Sequence, residues 1–336
     1  MRGLLRDLLL VAALAVLLYF VPSFLRDLYG RASVSYLAIA VNGLTLAILA
    51  LSWDILGRTG QLSLAHAAFY GAGAYSVAIL LRTAELPLWL GIPLGGVVAA
   101  ALALLLGSVT LRLKGIYFAI ATLAFTEVLR AVVHQLPTRV AGGAAGINVA
   151  PLFRPQFVAG EMERWELAFL RSEAYFLVYA GLLVLALLIS VYIQRSRLRA
   201  AFTAIRTNEQ VAAVMGVRPA RYKLLAFALS SFIVGLLGAV EAHRVGSVNP
   251  HETFSVAITV LALVTPIFGG LYTTLGPVLG AGLLSGLEET LRRTLSEGYL
   301  IGYGVVLVLS ILFMPRGVVG LLNALGRRLG SRRRTR

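Results

Sequence analysis

Residues 57–81 read "GRTGQLSLAHAAFYGAGAYSVAILL". The run is long and apolar enough to cross a bilayer, which takes about 20 residues, yet it carries Gly60, Gln61, Ser63, His66, Gly71 and Gly73. A span that only anchors a protein in lipid would be rich in Leu and Ile. Polar groups in hydrocarbon are tolerated chiefly where they face other helices or a wet path. The stretch therefore reads as part of a transport conduit.

Composition points the same way. Of 336 residues, 59% are hydrophobic and 13% charged, with a mean hydropathy of +0.85, against about 25% charged residues in an average soluble domain. The fold class expected is all-α, a polytopic bundle of membrane helices. With no cysteine in the chain, disulfides, thiolate nucleophiles and Cys-ligated metals are excluded. A net charge of +15 would fit nucleic-acid binding if it formed one patch, but it is split between loops. Arg195, Arg197, Arg199, Arg206, Arg218, Arg221 and Lys223 occupy one segment, and Arg316, Arg327, Arg328, Arg332, Arg333, Arg334 and Arg336 follow Pro315. Basic loops stay on the cytoplasmic side of a membrane, so the expected surroundings are lipid and not nucleic acid.

Hydrophobic runs give about ten spans, at roughly 8–25, 34–52, 60–81, 88–111, 115–136, 174–193, 222–243, 254–269, 272–288 and 298–314. With Arg2 and Arg6 inside, six crossings return the first basic cluster to the inside, and four more leave the Arg-rich tail there. Both termini are then cytoplasmic, residues 137–173 form the long external loop, and 194–221 an internal one. The N-terminal run is read as a retained span, since it is longer than a signal-peptide core and no small-x-small cleavage site follows before Pro22. On this division residues 1–326 form one transmembrane domain and 327–336 a basic cytoplasmic tail.

Catalysis finds little support. His66, His134, His243 and His251 lie in different segments without metal-ligand spacing, so no metal site is expected. Lys114 and Lys223 are not preceded by the glycine of a phosphate-cradling loop. The chain is expected to be a transport subunit, not an enzyme, without an ATPase site of its own. Within the fifth span, Glu127 and Arg130 share a helical face about 18 Å from Gly115, past the midpoint of a bilayer core of roughly 30 Å. They form either an internal ion pair or a substrate contact. His66, with Ser63 one turn away, either lines the path or bonds a neighbouring helix. Glu241, His243 and Arg244 read as an interfacial polar cap. Gly269, Gly270, Gly276, Gly280, Gly282 and Gly286, with Pro266 and Pro277, make the eighth and ninth spans closely packed or irregular.

The internal loop has its own signals in "RTNEQVAAVMGVRPARYK" (206–223). Asn208 suits an N-cap, Glu209 the positive end of a helix dipole, Gly216 a left-handed C′ position, and Pro219 a stop. These frame a short cytoplasmic helix at about 209–215. Its apolar Val211, Val214 and Met215 are surplus to a solvated loop and suit a groove on a soluble partner.

"GQLSLAHAAFYGAGAY" (60–75), "GIYFAIATLAFTEVLR" (115–130), "AIRTNEQVAAVMGVRPARYKLLAFALSSFIVGLLGAV" (204–240), "GPVLGAGLL" (276–284) and "MPRGVVGLL" (314–322) together resemble, in collinear order from about residue 40 to 322, the LivM-type permeases of branched-chain amino-acid ABC importers. The resemblance implies a bacterial inner-membrane subunit that pairs with a second, LivH-like permease, two cytoplasmic ATPases and an external solute-binding protein. ATP and Mg would be held by the ATPases, and no cofactor by this chain. Helix 209–215, with Asn208, Glu209, Val211, Val214, Met215 and Gly216, would dock on the ATPase. The solute expected is a branched-chain or other small hydrophobic amino acid, with urea or short amides, or ion-coupled secondary transport, as alternatives. Path residues expected are Gly60, Ser63, His66, Gly71, Thr122 and Glu127. The chain departs from the family pattern at Ala65 (usually Gly), at Ala145 (an Asp in the loop matching 141–146), at Gln210 (an acid) and at Tyr272 in "GGLYTT" (269–274), where the family turn carries Gly.

Overall fold

The computed structural model of the chain describes residues 2–83, 88–153, 164–295, 298–313 and 317–320. Long helices dominate: α1 (Arg2–Tyr29), α2 (Ser33–Gly57), α3 (His66–Thr83), α4 (Leu88–Thr110), α5 (Ile116–Gln135), α7 (Arg164–Arg195), α10 (Pro219–Val245), α12 (Val256–Gly269), α13 (Gly276–Leu295) and α14 (Tyr299–Phe313). Shorter ones punctuate the connections: α6 (Thr138–Ala141), α8 (Arg197–Thr207), α9 (Glu209–Val214) and α11 (Pro250–Thr253). Six helical stretches among the described residues are long and apolar enough to cross a membrane. One of them, Gly3–Gly57, is 55 residues long. At about 1.5 Å per residue that exceeds twice the hydrocarbon thickness, so it holds two spans, α1 and α2, divided at the 3₁₀ turn Gly30–Ala32.

At the centre of the bundle lies α10, packed on α4, α3 and α2. The contact is close because glycines line it. A Cβ at Gly73 would run into the Gly235 backbone, one at Gly95 would stand 3.0 Å from the Gly73 carbonyl oxygen, and one at Gly235 2.7 Å from the Gly95 carbonyl oxygen. Helix α2 packs on α7, α13, α10 and α12, and everything from Leu46 to Thr59 is buried, polar Ser52, Asp54 and Arg58 included. Lipid is the natural neighbour for the outward rows of Leu5, Leu9, Leu17, Phe20 and Phe24 on α1 and of Leu105 and Val109 on α4, all exposed.

Three expectations change. The third span does not begin as helix at residue 60: residues 58–65 are irregular and α3 starts at His66. Second, α7 begins at Arg164, so helix takes over part of the expected 137–173 loop, whose residues 154–163 lie outside the described set. In the same loop, β1 (Ile147–Asn148) pairs antiparallel with β2 (Ser247–Val248), the one strand pair among the described residues of an otherwise helical fold. Third, the second span runs on past residue 52 to Gly57, carrying Asp54 into the bundle. The proposed tail, 327–336, lies outside the described residues.

Candidate translocation path and coupling face

Between α2 and α3 the chain reverses through Gly60, whose φ of +83° is one that glycine adopts freely. The irregular backbone that follows sits inside the bundle, where each unpaired amide or carbonyl costs several kcal/mol. Threonines from distant helices supply the partners. Thr122 Oγ1 on α5 accepts from Leu64 N–H at 2.9 Å, and Thr259 Oγ1 on α12 accepts from Ala67 N–H at 3.0 Å. Trp53 Nε1 donates to the Ser63 carbonyl at 3.0 Å, while Ser63 Oγ accepts from Ala65 N–H at 3.1 Å. Ser63 and Thr122 are fully buried and tied to backbone. His66 is 1% exposed; its Nε2 lies 3.3 Å from Ser230 Oγ on α10, and Nδ1 has no partner among the described residues.

The other predicted path residues fall elsewhere. Gly71 faces Phe254, whose ring a Cβ would strike, and Phe254 in turn stacks on Tyr75 at 5.7 Å between centroids. Glu127 and Arg130 pair at 2.6 Å but remain about half exposed (side chains 44% and 41%). With His134, Gln135 and His251 they border an open cavity of about 600 Å³. Gly60 is not with this group. It belongs to the opposite end of the bundle, lining a polar cavity of about 400 Å³ with Lys114, Arg206, Asn208, Glu209 and Lys223.

That opposite end is the coupling face, and its local signals are realised. Asn208 Oδ1 accepts from the N–H groups of Gln210 and Val211 at 3.0 and 3.1 Å, opening α9. Glu209 pairs with the buried Lys223 at 2.8 Å, and Gly216 closes the turn at φ +87°. Val211, Val214 and Met215 are 58%, 88% and 79% exposed. Pro219 serves as the first residue of α10 and not merely as a stop. Helix α8, capped by Ser196, was not anticipated, although its apolar Ala201, Phe202 and Ile205 recur at helical spacing.

One charge cluster has no counterpart in the sequence reading, and a second is more interlocked than the polar cap expected there. At the coupling end, Arg58 Nε donates to Asp54 Oδ2 at 2.8 Å, and Arg58 Nη2 donates to Ser190 Oγ at 2.8 Å and to the Thr273 carbonyl at 3.3 Å. Asp54 Oδ1 accepts from Tyr272 N–H at 2.6 Å. At the other end, where Glu241, His243 and Arg244 were expected to form a polar cap, Glu241 accepts from the Tyr179 hydroxyl and from Arg244. His243 Nδ1 lies 2.6 Å from the Ala150 carbonyl, and Tyr175 OH donates to the His243 carbonyl at 2.8 Å while accepting from Leu152 N–H at 3.1 Å, so the loop after β1 is fastened to α7 and α10. An i,i+4 Asp–Arg pair at the edge of an apolar run was the available signal for the first cluster.

Comparison with known proteins gives one family and two curated relatives. Residues 35–314 match the family described as "Branched-chain amino acid transport system / permease component". The proteins named "High-affinity branched-chain amino acid transport system permease protein LivM" from Salmonella typhimurium and from Escherichia coli K12 are each 32% identical over 279 residues, covering 79% of this chain and 65% of the relative. The chain thus spans about two thirds of the length of these relatives. No solved structure matches it. With a match across most of its length, and apolar helices able to cross a membrane several times, the chain belongs to the branched-chain amino-acid transport permease family and is a multi-pass membrane protein.

Proposed function

We propose that the chain is the permease subunit of an ABC importer in the bacterial inner membrane, carrying branched-chain or other small hydrophobic amino acids. It works with a LivH-like permease, two ATPases that hold ATP and Mg, and an external solute-binding protein, and holds no cofactor itself. The observation that carries this is α9: a helix capped at Asn208, braced by the Glu209–Lys223 pair, and presenting Val211, Val214 and Met215 outward. An exposed apolar tip on a charged, braced base fits a groove on another protein. The expected topology has ten crossings, counting α13, α14 and the short α3, with α8, α9 and the basic segment inside. ATP-driven motion of α9 would rock the bundle between outward-open and inward-open packings.

For the path we propose Ser63 of the irregular segment with its partner helix residue Thr122, and His66 and Gly71 of α3, with Glu127 towards the outside and Gly60 at the inner mouth. A conduit fed by a selective binding protein needs little affinity of its own. The half-exposed Glu127 and Arg130 offer both charges that a zwitterion seeks, beside a cavity large enough for an aliphatic amino acid. Glu127→Gln is expected to reduce uptake about tenfold with ATPase activity retained, measured as leucine uptake per ATP hydrolysed; unchanged uptake removes Glu127 from the path.

The test of the function is reconstitution with the partner subunits. Leucine uptake into vesicles should require ATP and the binding protein. Uptake by this chain alone, driven by a proton gradient without nucleotide, would replace the proposal with ion-coupled transport. Within the reconstituted system, Glu209→Lys sets a cation against buried Lys223, and Gly216→Pro forces φ from +87° to about −65°. Both variants should lose at least tenfold in transport-linked ATPase stimulation while the chain still reaches the membrane. Normal coupling in both would remove α9 from the docking role.

A further inference from the structure

Tyr272 is the one non-glycine residue with positive φ among the described residues, at +64°. A left-handed backbone favours glycine, and an aromatic residue there needs surrounding contacts to hold it. The backbone and ring of Tyr272 are held. Its N–H donates to Asp54 at 2.6 Å, its carbonyl accepts from Gln194 Nε2 at 2.8 Å, and its ring lies under the Arg206 guanidinium, 3.8 Å from Cζ to the centroid. Arg58 reinforces the turn from below through the Thr273 carbonyl. Thr273 Oγ1 then donates to the Gly270 carbonyl at 2.9 Å and accepts from Gly276 N–H at 3.0 Å, so the turn is stitched to the first residue of α13.

The position of Arg206 gives the arrangement a direction. It lies in the last turn of α8, two residues before the Asn208 cap of α9, and packs so closely on Gly60 that a Cβ there would stand 3.3 Å from the Arg206 Cα. The turn on which its guanidinium rests joins α12 to α13. These two helices meet through Gly269, Gly276 and Gly280, with a Cβ at Gly280 falling 2.8 Å from the Gly269 Cα. Small residues let the two backbones approach this closely, and with no side chains interlocking there the turn that joins the helices is left to fix their register.

We infer that Tyr272 and Arg206 form a clasp that transmits displacement of α8–α9 to the α12–α13 pair, making them positioning residues for transport. The inference rests on the proposed ATP-driven function, and it concerns a position at which the chain departs from the glycine of the turn pattern it resembles. A glycine would be relaxed but would leave Arg206 nothing to rest on.

The experiment uses the full assembly in lipid vesicles and reads leucine transported per ATP hydrolysed, together with the thermal midpoint of each variant. Tyr272→Phe keeps the ring and should behave as native. Tyr272→Gly removes backbone strain and should be no less stable, yet it and Arg206→Gln should each transport about tenfold less per ATP, and the double variant should be no worse than either. A Tyr272→Gly protein that transports as native with an unchanged ratio overturns the clasp. So does strict additivity of Arg206→Gln and Tyr272→Gly in the thermal midpoint, a readout that holds whatever drives transport. Failure of the native assembly to respond to ATP would instead strike the function proposed above.

Discussion

Arg58→Ala is expected to be among the most damaging single changes in the protein. Asp54 is fully buried and Arg58 is 5% exposed, and the pair draws on Ser190, Thr273 and Tyr272, so three segments of the bundle, the end of α2, α7 and the α12–α13 turn, converge on it. Removing the guanidinium leaves a carboxylate in a dry interior with a single backbone amide for compensation. Breaking a buried pair in this way costs about 3–5 kcal/mol, comparable with the whole stability margin of many domains. Asp54→Leu alone strands the cation and should be similarly harmful. The double variant Asp54→Leu with Arg58→Leu buries no net charge, and exchanging a complete ion pair for apolar volume is often close to neutral. What it still loses is the acceptor for Tyr272 N–H and the donor to Ser190, about 1–3 kcal/mol for each group left unsatisfied. The thermal midpoint in detergent should therefore rank native highest, the double variant next, and both single variants lowest. Single variants as stable as native would mean that Asp54 and Arg58 are hydrated and that the buried network does not hold the inner ends of α2, α7 and α12 together.

Local signals explain which parts of the structure were legible in the sequence. Helix α9 was placed from Asn208, Glu209, Gly216 and Pro219, because caps act within one turn and need no tertiary partner. The membrane bundle followed from runs of apolar residues, which are likewise local. The irregular stretch 58–65 was not legible. Its composition is that of a polar span, and what permits it to remain unwound is hydrogen bonding of Leu64 to Thr122 and Thr259, 58 and 195 residues away in the chain. Asp54 and Arg58 were hidden for a related reason. A hydropathy window ends a span where charges begin, but α2 continues to Gly57 because the two charges cancel and find acceptors and donors on α7 and on the turn before α13, up to 218 residues distant. The path residues sit between these cases. Their polarity in an apolar run marked them, and the structure separates Gly60 at one end from Glu127 at the other, with Ser63, His66 and Thr122 buried between helices.

Glycine substitutions should fall into a graded series that separates packing from surface. Gly73→Leu places its first side-chain carbon on the backbone of Gly235, and neither α3 nor α10 can yield without also disturbing α4, since Gly95 fits against both Gly73 and Ala239. Overpacking a core typically costs about 1–3 kcal/mol and more where backbone must move, so this variant belongs at or above the upper end and should fail to accumulate as a folded chain. Gly71→Ala is milder. Its added carbon meets the Phe254 ring, and a side chain can turn aside where backbone cannot, although Tyr75 then loses its stacking partner. Gly286→Leu has nothing within 4 Å to displace and should leave the isolated chain intact. The series is read as the yield and thermal midpoint of purified chain, expected in the order Gly286→Leu near native, Gly71→Ala reduced, Gly73→Leu lost. Gly286 then carries a second measurement, co-purification with the partner permease. A loss of partner with an intact chain would mark the α13 face as a subunit contact, whereas retention with normal transport would assign it to lipid. A stable Gly73→Leu protein would contradict the glycine-mediated crossing of α3 and α10 on which the placement of His66 beside Ser230 depends.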